Sequence, residues 1–142
     1  MKIYLFCALA VLAGTAHAAE DARQLVPMPA AAEASLRAEM RANLLALNEI
    51  LGLVAGGKPG EAGAVAEREL GVSAMGKQRS QPFDARPGPH MPAAMHRIGM
   101  QGHQAASEFA RIAAGGDREK TIAALPSLTA ACVGCHYAYR IR

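Results

Sequence analysis

The sequence predicts an all-α protein, an antiparallel four-helix bundle, from three observations. Apolar residues recur at steps of three and four in four separate stretches. Glycine pairs and prolines punctuate those stretches, and no segment alternates apolar with polar residues between hairpin turns. Four amphipathic helices in succession favour an antiparallel bundle, since each buries its one apolar stripe against its neighbours.

Residues 19–30 read as a lead-in containing Pro27 and Pro29. The first helix is expected over 31–55, where Leu36, Met40, Leu44, Leu47, Leu51 and Val54 form one stripe and Gly56-Gly57 stops it. A shorter second helix over 61–75 would present Ala62, Val65, Ala66, Leu70 and Val72. Residues 76–90, with Gly76, Pro82, Pro87, Gly88 and Pro89, read as a loop. Pro92 suits the first position of a third helix carrying Met91, Met95, Ile98, Gly102, Ala105, Phe109 and Ile112, which Gly115-Gly116 ends. Asp117 would cap a fourth helix over 118–140, with Ile122, Leu125, Leu128, Cys132, Cys135 and Tyr139 on one face. Pro126 inside it is expected to kink or restart the helix.

The N-terminus has the grammar of an export signal: Lys2, an apolar run from Ile3 to Leu12, and the small-x-small site Ala16-His17-Ala18. The run is far short of the roughly 20 residues that span a bilayer, so cleavage after residue 18, with no membrane anchor left, is the expectation. Cys7 leaves with the leader, and no cysteine stands at the cleavage site to take a lipid. Residues 19–142 then form one domain with one core. Losing Lys2 leaves 14 basic against 12 acidic side chains without long runs of either sign, and nothing indicates a nucleic-acid partner. The remaining aromatics are Phe83, Phe109, Tyr137 and Tyr139, with no tryptophan. Such a core lacks large apolar bodies, so the fold is expected to depend on a cofactor that supplies one.

Cys132-Val133-Gly134-Cys135-His136 names that cofactor. On a helix, positions i, i+3 and i+4 share a face, so both sulfurs and the imidazole project together. The thiols can form thioethers with the two haem vinyl groups while His136 ligates the iron, which is the c-type haem attachment pattern. Three other readings compete. A thioredoxin-like pair needs a strand before it and a helix starting at its first cysteine. A zinc site needs four ligands, so His90, His96 or His103 would have to converge on the two cysteines. A disulfide between cysteines this close in a helix would constrain almost nothing. Haem attachment agrees with motif, leader and aromatic-poor core together, and places one covalent haem c near the C-terminus of the fourth helix. With the motif this close to Arg142, any sixth ligand is expected from an earlier helix.

The run Cys132-Val133-Gly134-Cys135-His136-Tyr137-Ala138-Tyr139-Arg140, closing a four-helix pattern, resembles class II c-type cytochromes: the cytochrome c-prime family and its low-spin, methionine-ligated relatives. The resemblance covers the chain after the leader, and its specific part is this C-terminal run. It implies a left-handed bundle holding the haem among the helices, His136 as proximal ligand, and a distal side facing the first helix. Arg140 matches the arginine the family places beside the proximal ligand. Met40 falls where gas-binding members carry a non-ligating residue, often leucine, and low-spin members carry a methionine that binds the iron.

Met40 also lies on the apolar stripe, where methionine ordinarily fills a core, and Met91, Met95 and Met100 are rival thioether ligands. Arg37, one turn before Met40, is a candidate for a haem propionate, or simply an exposed helix arginine. His96 and His103 share a face of the third helix with Met100 between them, but two ligands do not make a metal site, and His90 reads as surface. The expected function is a periplasmic electron carrier that exchanges electrons with redox proteins there; the alternative is a five-coordinate haem that binds NO or CO. No nucleophile with an adjacent base and no second metal motif is visible, which argues against an enzyme. The resemblance leaves both a monomer and a homodimer open.

Overall fold

The computed structural model describes residues 20–142; the expected leader at 1–18 lies outside them. The described chain is mostly helical, with four helices and little strand: an all-α protein. The elements are β1 (Gln24–Leu25), α1 (Ala30–Ala55), α2 (Pro59–Leu70), α3 (Ala93–Ala113), α4 (Arg118–Ala138) and β2 (Tyr139–Arg140). Short 3-10 turns at Val72–Ala74, Phe83–Ala85 and Gly88–His90 punctuate the long connection from α2 to α3.

Helix ends follow local chemistry. Gly57 takes a left-handed φ of 74°, and the N–H groups of Gly57 and Lys58 return to the carbonyls of Val54 and Leu53 at 3.1 and 2.9 Å, closing α1 with a Schellman motif. Asp117 caps α4 as expected, accepting from the Lys120 N–H at 3.0 Å. Pro126 does not end α4, which runs through it as one helix. Near that proline the Thr129 hydroxyl sits 3.3 Å from the carbonyls of both Leu125 and Pro126.

Three boundaries differ from expectation. Extended backbone at Gly71 ends α2 at Leu70 instead of near residue 75, and a 3-10 turn follows. Pro92 stands before the first turn of α3 instead of in it. Helix α4 stops at Ala138, because Tyr139 and Arg140 turn extended and pair in parallel with Gln24 and Leu25. That bridge, extended by a 2.8 Å bond from the Val26 N–H to the Arg140 carbonyl, ties the lead-in to the end of the chain.

Successive helices pack on one another, α1 on α2, α2 on α3 and α3 on α4, while α1 and α4 touch little. Gly63 lets α2 approach α3 closely, since a Cβ there would stand 2.9 Å from the Ala110 carbonyl oxygen. The core divides in two. One cluster gathers Ile50, Val54, Ala62, Val65, Ala66, Ala106, Phe109, Ala113 and Leu128, built entirely from side chains. The other gathers Val26, Leu36 and Met95, with partly buried Met28, Met40, Met91, Cys135, Tyr139 and Ile141 around them.

The α1 stripe is only half covered. Leu36 and Val54 are buried, but Leu44 and Leu51 are 68% and 45% exposed, and Ala32, Ala46 and Ile50 do the packing instead. Helix α2 is short and takes the face that carries Ile50 and Val54, whereas little of α4 reaches α1, so the flank with Leu44 and Leu51 stays open. On α4, Leu128 is buried while Ile122 and Cys132 of its expected face are exposed.

Candidate functional site

The last turns of α4 present Cys132, Cys135 and His136 at positions i, i+3 and i+4, hence on neighbouring positions of one face. Cys135 points into the second cluster, partly buried; Cys132 and His136 are exposed. Burial, and secondarily the neighbouring Cys132, pushes the Cys135 thiol above its ordinary range. The pair also sits at the negative end of the helix dipole. Both influences oppose thiolate formation, the reverse of what a thioredoxin-like pair at a helix N-terminus requires. Among the described residues no three His, Cys, Asp or Glu side chains come together as a metal site. His103 Nδ1 is engaged 2.7 Å from the Leu70 carbonyl, and His90 Nε2 lies 3.3 Å from that of Phe83.

The second cluster is assembled from parts of the chain far apart in sequence. Helix α1 contributes Leu36 and Met40, α3 contributes Met95, and the segment just before it contributes Met91. Cys135, Tyr139 and Ile141 come from the end of the chain, while Val26 and Met28 come from the lead-in that the β1–β2 bridge holds there. Three of the four methionines singled out in the sequence, Met40, Met91 and Met95, therefore meet around Cys135, and Met100 stays outside. Val26 and Met28 escaped the sequence analysis because one follows a two-residue strand and the other stands between Pro27 and Pro29, where there is no periodicity to read.

Helices α1 and α4 meet at both ends. At one, Arg118 Nε donates to the Val54 carbonyl at 3.3 Å; at the other, Leu36 and Met40 share a cluster with Cys135. Between these ends lie the exposed Leu44 and Leu51 of α1, and α4 exposes Val133 and Tyr137 by 65% and 86% beside its cysteines. Helix α4 is also, among the described residues, long and apolar enough to cross a bilayer, with a mean hydropathy of 1.2. An apolar disc carried on its cysteine face would account for the same surplus. The residues present fit a haem: two thiols and an imidazole on one face, a methionine-rich cluster against which one thiol packs, and exposed apolar side chains on α1 and α4.

The two arginines named from the sequence fare differently. Arg37 is held by Glu33 one turn earlier, its Nη2 2.7 Å from Glu33 Oε1, in an exposed i,i+4 pair, so its charge is already matched. Arg140 is past the helix, on β2, with a buried Nε that has no hydrogen-bond partner and stands 3.5 Å from Asp21 Oδ2. Asp21 itself is held down to about 2, chiefly by the Arg23 guanidinium and N–H, with Arg140 contributing least. Two open grooves of about 500 and 270 Å³ run between α3 and α4. They are lined mainly by small residues such as Ala105, Ser127 and Ala131, and neither includes Cys132, Cys135 or His136. No protein-family model, curated protein or solved structure matches this chain.

Proposed function

We propose that the protein is an exported monohaem c-type cytochrome that carries electrons. In this reading residues 1–18 are a cleaved leader, and the four helices form an antiparallel bundle holding one haem c near the C-terminal end of α4. The carrying observation is the Cys132-x-x-Cys135-His136 face at the end of α4 together with the methionine cluster around Cys135. The helix order supports the bundle: Gly63 lies against Ala110 and Ala113, and Gly102 against Ala131, as consecutive antiparallel helices require, and the bond from Arg118 to Val54 joins the start of α4 to the end of α1, as antiparallel outer helices require.

Each thiol adds across one haem vinyl group to give a thioether, which fixes the group without loss of any atom. His136 holds the iron from α4. Haem c supplies one-electron chemistry, its iron alternating between ferric and ferrous. Met40 is the second residue proposed to hold the iron: it is only partly covered and belongs to the half-open α1 stripe, whereas Met95 is packed into the protein at 6% exposure. A thioether there favours ferrous iron and closes the site to other ligands. Val26, Leu36 and Met95 keep water from this end, and the exchange partners are redox proteins of the periplasm.

Ferric and ferrous absorption spectra, with and without carbon monoxide, test the reading. Low-spin bands and little uptake of the gas are expected. High-spin bands with ready uptake would replace the carrier with a five-coordinate, gas-binding protein of the cytochrome c-prime kind. A chain without haem would overturn both.

A further inference from the structure

A guanidinium stays protonated throughout the accessible pH range, so each of its N–H groups taken from water needs an acceptor. Among the described residues two guanidinium Nε atoms are buried with no hydrogen-bond partner, those of Arg140 and Arg86. Arg140 has a carboxylate near it, that of Asp21. Arg86 pairs with no described acidic group; the ring of Phe83 lies against it, 5.4 Å from the centroid to Cζ. An aromatic face attracts the charge but accepts nothing from Nε–H in the plane of the guanidinium.

Arg86 is also held firmly. Before it, the turn Phe83–Ala85 packs on α1. After it, Pro87 is buried and Gly88 lies close to the His96 side chain on the first turns of α3. His90 meets Phe83 edge to face at 5.3 Å, and its Nε2 lies 3.3 Å from the Phe83 carbonyl oxygen, which closes the loop on itself. Met91, the next residue, enters the cluster with Met40 and Cys135. The segment thus bridges α1 and α3, leads into the cluster through Met91, and carries a half-buried guanidinium whose buried Nε–H has no acceptor. Carboxylates are the acceptors a guanidinium fork suits best, and haem c brings two of them.

We infer that Arg86 binds a haem propionate, its Nε–H donating to the carboxylate. The inference rests on the haem reading above and adds a residue from the α2–α3 connection to the site. Arg86 is a cofactor-positioning residue here: it orients the propionate, and its charge beside the haem favours the ferrous state.

The test uses the haem-loaded protein, in which the two thioethers keep the group attached whatever happens at residue 86. Resonance Raman spectra of wild type, Arg86→Gln and Arg86→Lys report the propionate-bending band, and voltammetry reports the reduction potential. Arg86→Gln should displace the band and lower the potential, while Arg86→Lys should displace the band and keep most of the potential, because it retains the charge but not the planar fork. Phe83→Leu, which removes the ring but leaves the guanidinium, should keep the band near its wild-type position. A wild-type band and potential in both Arg86 variants would overturn the assignment while leaving the cytochrome reading intact. Purified chain without haem would overturn both together.

Discussion

Replacing Met40 by alanine separates a ligand from a packing residue, and the structure sets the scale. A fully buried methionine truncated to alanine costs about 2–5 kcal/mol. Met40 is only partly buried by the protein itself, so packing alone predicts a loss nearer about 1–2 kcal/mol. For a domain of this length each kcal/mol moves Tm by roughly 3–6 °C, so a packing role corresponds to a shift under about 12 °C. Alanine is the best helix former, so α1 itself should not suffer. If Met40 binds the iron, the loss should exceed that range, and the low-spin haem should become largely high-spin, with a lower reduction potential and fast carbon monoxide binding. The assay is the ferric and ferrous absorption spectrum, stopped-flow carbon monoxide mixing and a thermal melt on the same preparation. An unchanged low-spin spectrum in Met40→Ala refutes the assignment. Loss of that spectrum in Met91→Ala, Met95→Ala or Met28→Ala would move the ligand within the cluster; Met100→Ala, outside it, should be silent.

His136→Ala should leave the haem attached through both thioethers, resistant to acid-acetone, but without its low-spin spectrum; extraction of the haem would contradict this. The Cys132→Ser/Cys135→Ser chain, lacking haem, should keep amide-exchange protection around Phe109 and Ile50, whose cluster needs no cofactor, and lose it around Leu36 and Met95. Uniform protection in both halves would show that the haem is not part of the core. Phe109, 1% exposed, is the largest fully buried side chain, so Phe109→Ala should cost about 3–5 kcal/mol in urea unfolding of the loaded protein, and a loss under about 1 kcal/mol would refute the packing described. Asp21 is depressed from 3.8 to about 2, so the stability it adds is fully present above 3.8 and is lost as pH falls through about 2. Asp21→Asn should therefore flatten the acid limb of the stability curve in that window and change nothing near neutrality; an unaltered acid limb would mean the pair persists in the unfolded chain.

Much of the scaffold was legible in the sequence. Four periodic stretches, two Gly-Gly stops and the Asp117 cap are local signals, and α1, α3 and most of α4 lie where they point. What escaped was set by contacts distant in sequence. Nothing local tells Tyr139 and Arg140 to leave the helix, since the partner that draws them into β2 is more than a hundred residues away. Likewise Leu44 and Leu51 share the α1 stripe with Leu36, and only the thin contact between α1 and α4 leaves them bare. Arg37 was singled out for its proximity to Met40, and its i,i+4 pairing with Glu33 is a second local contact that the same spacing allows. The Cys132–His136 motif was plain from residue types and spacing. That Met28 packs into the same cluster as Cys135 was not, because it lies in a non-periodic, proline-rich segment that only tertiary structure brings near.

The central claim is covalent haem at Cys132 and Cys135, and the most direct measurement is the intact mass of the exported chain together with its pyridine haemochrome spectrum. The account predicts a mass equal to residues 19–142 plus one haem, unchanged by acid-acetone, and a haemochrome of the type given by two thioether bonds. A mass equal to the bare polypeptide, haem that acid-acetone removes, or two haems per chain would contradict it.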